Sequence, residues 1–480
     1  MSKSITIQPV TRIEGHAKIR IDLDDAGNVK DTAVNVVELR GFEQFAVGRP
    51  VEEMPRIVPR ICGVCPWAHH LAAAKAADGA LGVTIPPAAA KIREAAYMAH
   101  FLHSHILHFF ILSGPDFVLG PSSDYSTRNV VGIVKAAPEI AKKVVRNRFL
   151  AQMITQKMGG KAIHPDSAVP GGWSKPITKE ELAEITKMAD EVYEFVLFAA
   201  DFAKKNIFPK YLDVVKSVAV IKTGFLGMVK NGAMNFYDGI LRLMDPSGKF
   251  EEFKPENYTD YIAEHVENWT YLKFPYAKKW GEGFSMDLDH PKGIYRTNAL
   301  ARVNVVDKIS TPKAQAELEE FREKFGRPVQ LTLLYHWARL IESVYAAEHL
   351  RELLKDSDIT SPNIRAKATP KAGRGVGVVE APRGTLIHDY ETDDKGLVKS
   401  ANIIVGTTHN NAAINMSVKQ AAQTLIKNGV YDQGILNTVE MAIRAYDPCL
   451  SCATHDLSGR LAVKLEIHDS KGNLVGTLKT

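Results

Sequence analysis

The chain has four cysteines, and they fall in two pairs, Cys62-Gly-Val-Cys65 and Cys449-Leu-Ser-Cys452. One pair lies near the start of a 480-residue chain and the other near its end. Two thiolates separated by two residues can turn toward one soft ion from a single bend of backbone. Gly63 allows that bend at little cost, and Pro448 ends the helix before Cys449. A single such pair could be a redox disulfide or half a zinc site, whereas two pairs point to a tetrathiolate site. A structural zinc site is the plain alternative, but zinc ribbons place their pairs about 15–20 residues apart because they staple small folds. A site joining both ends of a large core points to catalysis instead. A disulfide framework does not suit a large chain that opens without a signal segment.

Composition narrows the class. Hydrophobic residues make up 45% and charged residues 24%, as in a globular protein. Lys and Arg total 60 against 55 Asp and Glu, a net charge of +5 spread thinly. No basic run interleaves with aromatics, which argues against nucleic acid as a partner. The longest apolar stretch, Ala95 to Leu112, is interrupted by His100, His103, His105 and His108. It reads as a buried helix rather than a membrane span, and the chain is expected to be cytoplasmic.

Ile5, Ile7 and Pro9 begin a strand, and Ala17–Leu23 with Val29–Val37 flank a turn at Asp24 to Asn28. Helices are expected over Pro66–Ala80, from Pro86 or Pro87 to Ser113 with a stop at Gly114-Pro115, and over Pro328–Lys355. Thr178-Lys-Glu-Glu181 forms a capping box for a helix to Asn206. Residues 224–311 are mixed and turn-rich. Strand patterns return at 375–379, 385–390 and 400–405, followed by helices over 417–428 and 434–446 and a terminal hairpin around Asp469 to Asn473. The fold class is therefore α+β: mainly helical, with a central bundle of long helices and small β elements near both ends. The expectation is one domain over residues 1–480.

The segments around the cysteines, Arg60-Ile-Cys62-Gly-Val-Cys65-Pro-Trp-Ala-His69 and Arg444-Ala-Tyr-Asp447-Pro-Cys449-Leu-Ser-Cys452-Ala-Thr-His455, resemble the two signature motifs of nickel–iron hydrogenase large subunits. The resemblance extends to Pro9-Val-Thr-Arg12-Ile-Glu14-Gly-His16, Arg40-Gly-Phe-Glu43, His103-Ser-His-Ile-Leu-His108 through Asp116, and Glu380-Ala-Pro382-Arg383-Gly. Within the family it is similar to the soluble cytoplasmic group, above all to the methyl-viologen-reducing, deazaflavin-non-reducing hydrogenases of methanogens. The NAD(P)-linked soluble hydrogenases are the runner-up. The quinone-pocket subunit of respiratory complex I shares the fold but lacks the four cysteines.

The resemblance implies that all four cysteines bind nickel and that Cys65 and Cys452 also bridge to an iron carrying carbon monoxide and two cyanides. It implies a proton-relay role for Glu14, whose plain alternative is a salt bridge with Arg12. Arg383 would stand over the metals on a loop restricted by Pro382, with Asp116 and Asp447 around it. His69 would donate to a bridging sulfur, Thr407 would hydrogen-bond a cyanide, and Leu386 would form apolar wall. Glu43, the Ile403 carbonyl and His455 would hold a hard ion, usually magnesium. His70, His103, His105 and His108 read as core residues. Many relatives carry proline where this chain has Gly406. With every cysteine used at one site, electrons must leave through an iron–sulfur small subunit. The resemblance adds an iron–sulfur adaptor, a heterodisulfide reductase and maturation proteins as partners. Relatives often lose the tail after the histidine matching His455; residues 456–480 are expected to be retained here, because Leu461, Val463, Leu465 and Ile467 alternate with polar residues.

Overall fold

The computed structural model describes residues 4–454, 464–469 and 473–479. Four long helices, Pro87–Ile106, Pro138–Gly159, Lys179–Asn206 and Tyr335–Leu354, pack against one another as the expected central bundle. The capping box is present: the Thr178 hydroxyl accepts from the Glu181 N–H while the Glu181 carboxylate accepts from the Thr178 N–H. Pro138–Gly159 was not foreseen. Its N-terminal flank, Ala137, offers no side-chain cap, although Pro138 and Glu139 stand in its first turn.

The helix from Pro87 is α-helical to Ile106, continues as a π turn over Leu107–Leu112, and is followed by a short helix Gly114–Val118. The long helical run thus ends just before Gly114-Pro115, as expected, and the same pair opens a new short helix; proline is well placed in a first turn, where its missing N–H costs nothing. The helix expected from Pro328 begins at Tyr335 after a 3-10 turn. The backbone before it is committed elsewhere: the Val329 N–H donates to Asn304, and Gln330 binds both the N–H and the carbonyl of Thr223.

Near the N-terminus, Ser4–Ile7, Ala17–Leu23 and Val29–Val36 form an antiparallel sheet in chain order. Residues 224–311 hold a sheet built on Gly224–Lys230 and Ile240–Met244. A third sheet orders Gly373–Ala381, Gly384–Thr392 and Val398–Ile404. The hairpin near the C-terminus pairs Lys464–His468 with Leu474–Lys479.

The helix Pro66–Ala80, which opens immediately after Cys65, lies on the strand Gly373–Ala381. A Cβ at Gly373, Gly375 or Gly377 would fall within 2.2 Å of the carbonyl oxygen of Ala80, Ala76 or Ala72 respectively. Alternate strand residues advance by about 6.6 Å and every fourth helical residue by about 6 Å, so the glycines and alanines stay in step. This contact sets the first cysteine pair against the strand that leads to Arg383. The main core runs from Ile5 to Ala453 and includes all four cysteines.

Candidate metal centre

The four cysteine sulfurs lie within 4.8 Å of one another, and among the described residues they are the one cluster of three or more His, Cys, Asp or Glu side chains placed to hold an ion. Cys62 Sγ is 3.3 Å from Cys449 Sγ, and Cys65 Sγ is 3.8 Å from Cys452 Sγ. Thiolates bonded at about 2.3 Å to one ion stand no more than about 4.6 Å apart, and both of these separations fall within that reach, as a shared soft metal requires. All four cysteines are at most 3% exposed. Burial pushes the Cys449 and Cys452 thiols well above the ordinary range. A bound cation is what allows four thiolates to coexist in such a place.

Local structure explains how each pair is presented. Cys65 caps the helix opened by Pro66, and the N–H groups of Val64 and Cys65 both donate to Cys62 Sγ. The second pair is stitched to the N-terminus by a parallel bridge between Glu14 and Cys449: Glu14 N–H donates to the Pro448 carbonyl and Leu450 N–H to the Glu14 carbonyl. The Glu14 carboxylate accepts from the Ser451 hydroxyl and, at 3.3 Å, from the Ser451 N–H. Arg12 is turned away from it, with its backbone at φ 58°, and binds Asp116 instead.

Arg383 is 2% exposed and donates to Asp447 at 3.0 Å and to Ser104 at 3.3 Å. Burial opposes its charge, but Asp447 and the thiolates of Cys449, Cys65 and Cys62 more than offset it and hold the pKa well above the usual value. Asp447, at φ 51°, is raised by burial to about 6 despite Arg383 and Arg339. The expected place of Asp116 beside Arg383 needs correction. Asp116 sits in the first turn of Gly114–Val118 and binds Arg12 at 2.5 Å, Arg444 at 2.7 Å and Asn437 at 3.0 Å.

The Thr407 hydroxyl accepts from the Cys449 N–H at 3.0 Å, which leaves its own hydrogen free to donate. The residue before it must be small: a Cβ on Gly406 would lie 2.7 Å from the Arg383 carbonyl carbon. Pro382 and Leu386 are buried beside this loop. His69 is fully buried; burial drops its pKa to about 4, and its Nε2 has no hydrogen-bond partner among the described residues. Glu43 accepts from the Ile403 N–H at 2.8 Å, so those two candidate hard-ion ligands are neighbours; His455 lies outside the described residues. His70, His105 and His108 are tied to Pro55, Glu342 and Arg444 respectively.

Several residues at the site carried no sequence signal beyond their type. Ser451 was visible only as filler between two cysteines. Arg302, wholly buried with Glu342 and Glu380, donates to the carbonyls of Ala381 and Pro382 and so fixes the loop that carries Arg383. His164 approaches the Cys62 carbonyl at 3.2 Å. No local pattern marks contacts this distant in sequence.

A sequence profile of the nickel-dependent hydrogenases matches residues 40–147 and 142–455, spanning both cysteine motifs. The chain belongs to this family. It is an oxidoreductase that acts on H2, with a nickel–iron centre implied by the family and a cysteine cluster suited to it. Residues 4–39 match a further profile described as HoxL-like. This hydrogenase chain is 48% identical over 479 residues to its counterpart in the F420-non-reducing hydrogenase of Methanothermobacter thermautotrophicus, covering 98% of this chain and 99% of that one. It is 37% identical over 496 residues to the beta chain of the NAD-reducing hydrogenase HoxS of Cupriavidus necator, covering 99% of each. Its fold matches the crystal structure of an NAD+-reducing nickel–iron hydrogenase in the H2-reduced state with a TM-score of 0.89 at 40% identity, covering 94% of this chain and 99% of the other. No described helix is long and apolar enough to cross a membrane.

Proposed function

We propose that this chain cleaves H2 heterolytically and reversibly at a nickel–iron centre held by Cys62, Cys65, Cys449 and Cys452. Its electrons pass to an iron–sulfur small subunit, then through an iron–sulfur adaptor to a heterodisulfide reductase-type complex. One observation carries the reading: four sulfurs from opposite ends of the chain converge in a dry core beside the Arg383 cation and the Glu14 carboxylate. When bound, nickel with an iron bearing carbon monoxide and cyanides supplies the soft, electron-rich site at which H2 is polarised.

The chain's own residues do the rest. Glu14, anchored by Ser451 next to Cys452, takes up a proton released at the sulfurs and carries it outward. Arg383, oriented by Asp447 and Ser104, is a fixed cation over the same cavity. Pro382 stiffens its loop, Asp116 braces Arg12 and Arg444 behind it, and Leu386 keeps the wall apolar. Thr407, whose hydroxyl accepts from the Cys449 N–H, would have its hydrogen available for a diatomic ligand of the iron. Glu43 and the Ile403 carbonyl, with His455, suit magnesium or another hard ion. Gly63, between two buried cysteines, is exposed, so the partner's cluster can approach the centre there.

The relative at 48% identity is named F420-non-reducing, which argues against a deazaflavin acceptor. A second reading, an NAD(P)-linked enzyme, is favoured by the fold match to the NAD+-reducing hydrogenase. Metal analysis with infrared spectroscopy of the purified complex tests the centre: nickel, iron and diatomic ligand bands are expected, and zinc alone would overturn it. Nicotinamide reduction by the intact complex would instead select the second reading.

A further inference from the structure

His69 stands one helical turn after Cys65, which puts the two on the same helix face. Its Nδ1 lies 3.1 Å from His388 Nε2, and the two rings meet edge to face with centroids 5.3 Å apart. His388 Nδ1 in turn lies 2.5 Å from the Tyr390 hydroxyl. His388 and Tyr390 are alternate residues of the strand Gly384–Thr392, and all three side chains are wholly buried. The row thus runs from His69, one turn after Cys65, to the central strand of its sheet, where His388 pairs with Ile403, whose N–H donates to Glu43.

The row has one self-consistent set of hydrogens. A buried phenol such as Tyr390, whose hydroxyl has one hydrogen-bond partner among the described residues and that partner a ring nitrogen, donates to it, since accepting instead would strand its own O–H in a dry core. Burial and the Glu43 charge keep that phenol protonated. A neutral His388 that accepts at Nδ1 must carry its hydrogen on Nε2 and donate it to His69 Nδ1. A charged His388 would donate there as well. His69, neutral with Nδ1 occupied as an acceptor, is left with its hydrogen on Nε2, the ring nitrogen without a partner among the described residues.

We propose that His388 and Tyr390 are positioning residues that fix the tautomer of His69, so that its Nε2–H donates toward the cysteine sulfurs. The inference rests on the proposed nickel–iron reading for its chemical purpose: a donor at a ligand sulfur withdraws charge and tunes the metals, and a bare nitrogen there would repel the same sulfur. Neither residue touches the sulfurs; each acts through His69.

Neutron diffraction from deuterium-exchanged crystals of the metal-loaded complex reads the hydrogens directly. Deuterium is expected on Tyr390 Oη, His388 Nε2 and His69 Nε2; deuterium on His69 Nδ1 with a bare Nε2 overturns the proposal. In a parallel Tyr390→Phe variant, turnover should fall by about tenfold at unchanged nickel and iron content and unchanged KM for the electron acceptor. Wild-type turnover in that variant overturns the role. Anomalous scattering on the same crystals keeps the two readings apart: zinc at the sulfurs would defeat the metal assignment and the tuning purpose whatever the deuterium positions.

Discussion

The Glu14 carboxylate is hydrogen-bonded to Ser451, a residue between the two cysteines of the second pair. A carboxylate there is one residue from Cys452 and shares a backbone bridge with Cys449. Glu14→Gln preserves size and hydrogen bonding but cannot carry a proton. It should keep nickel and iron and lower turnover by about 10²-fold or more. Activity within about twofold of wild type would assign proton transfer to another group. Ser451→Ala frees the carboxylate without removing it and should cost less than Glu14→Gln.

Cys65 caps its helix and faces Cys452 at 3.8 Å. Cys65→Ser replaces a soft sulfur with a hard oxygen and should abolish both nickel and iron binding and H2 oxidation. Normal content of both metals with full activity would overturn the ligand assignment.

Gly406 is held against the Arg383 backbone, so any Cβ there must push that loop. Gly406→Ala should destabilise the protein by about 1–3 kcal/mol and lower activity through Arg383. Gly406→Pro should fare no better in this chain. An unchanged Tm and rate in Gly406→Ala would show that the loop yields freely.

His349 lies 3.0 Å from Glu94 in a largely buried pair. Burial opposes its charge, but Glu94 and Glu352 raise its pKa above 6.5; burial likewise opposes the Glu94 charge, yet His349 and Asn235 lower that pKa below 4.5. The histidine's contribution is complete below pH 6.5 and is lost as pH rises through its raised value. The glutamate's is complete above pH 4.5 and is lost as pH falls through its lowered value. The pair therefore stabilises most between those limits. His349→Gln should cost about 1–3 kcal/mol near pH 6, and the deficit should shrink by pH 9. Melting curves across that range check it; a deficit that grows with pH would refute the pairing.

The hairpin Lys464–His468 with Leu474–Lys479 follows the second cysteine pair. We propose that residues 456–480 stay attached as part of a single large-subunit domain. Intact mass of the active, nickel-loaded protein should correspond to the uncleaved chain. A product ending at His455 would refute retention.

Elements with local signals were legible in the sequence. The strands from Ser4 to Val36, the alanine-rich helix after Cys65 and the capping box at Thr178 form where their residues say, because turn chemistry, periodicity and capping act over a few residues. The helix expected over 417–428 in fact spans Asn411–Leu425, and the Asn410 and Asn411 amides at its start donate to the carbonyls of Arg383, Leu272 and Lys273, partners far away in the sequence. Sequence also determined the ligand chemistry, since four soft sulfurs in two pairs restrict what can bind. Which carboxylate faces which cation was decided only by the tertiary structure. Asp116 and Asp447 are both buried acids near the same motifs, yet only Asp447 meets Arg383. That choice depends on helix directions set by packing across the whole core, and ion pairs closing over such distances leave no periodic trace in the chain.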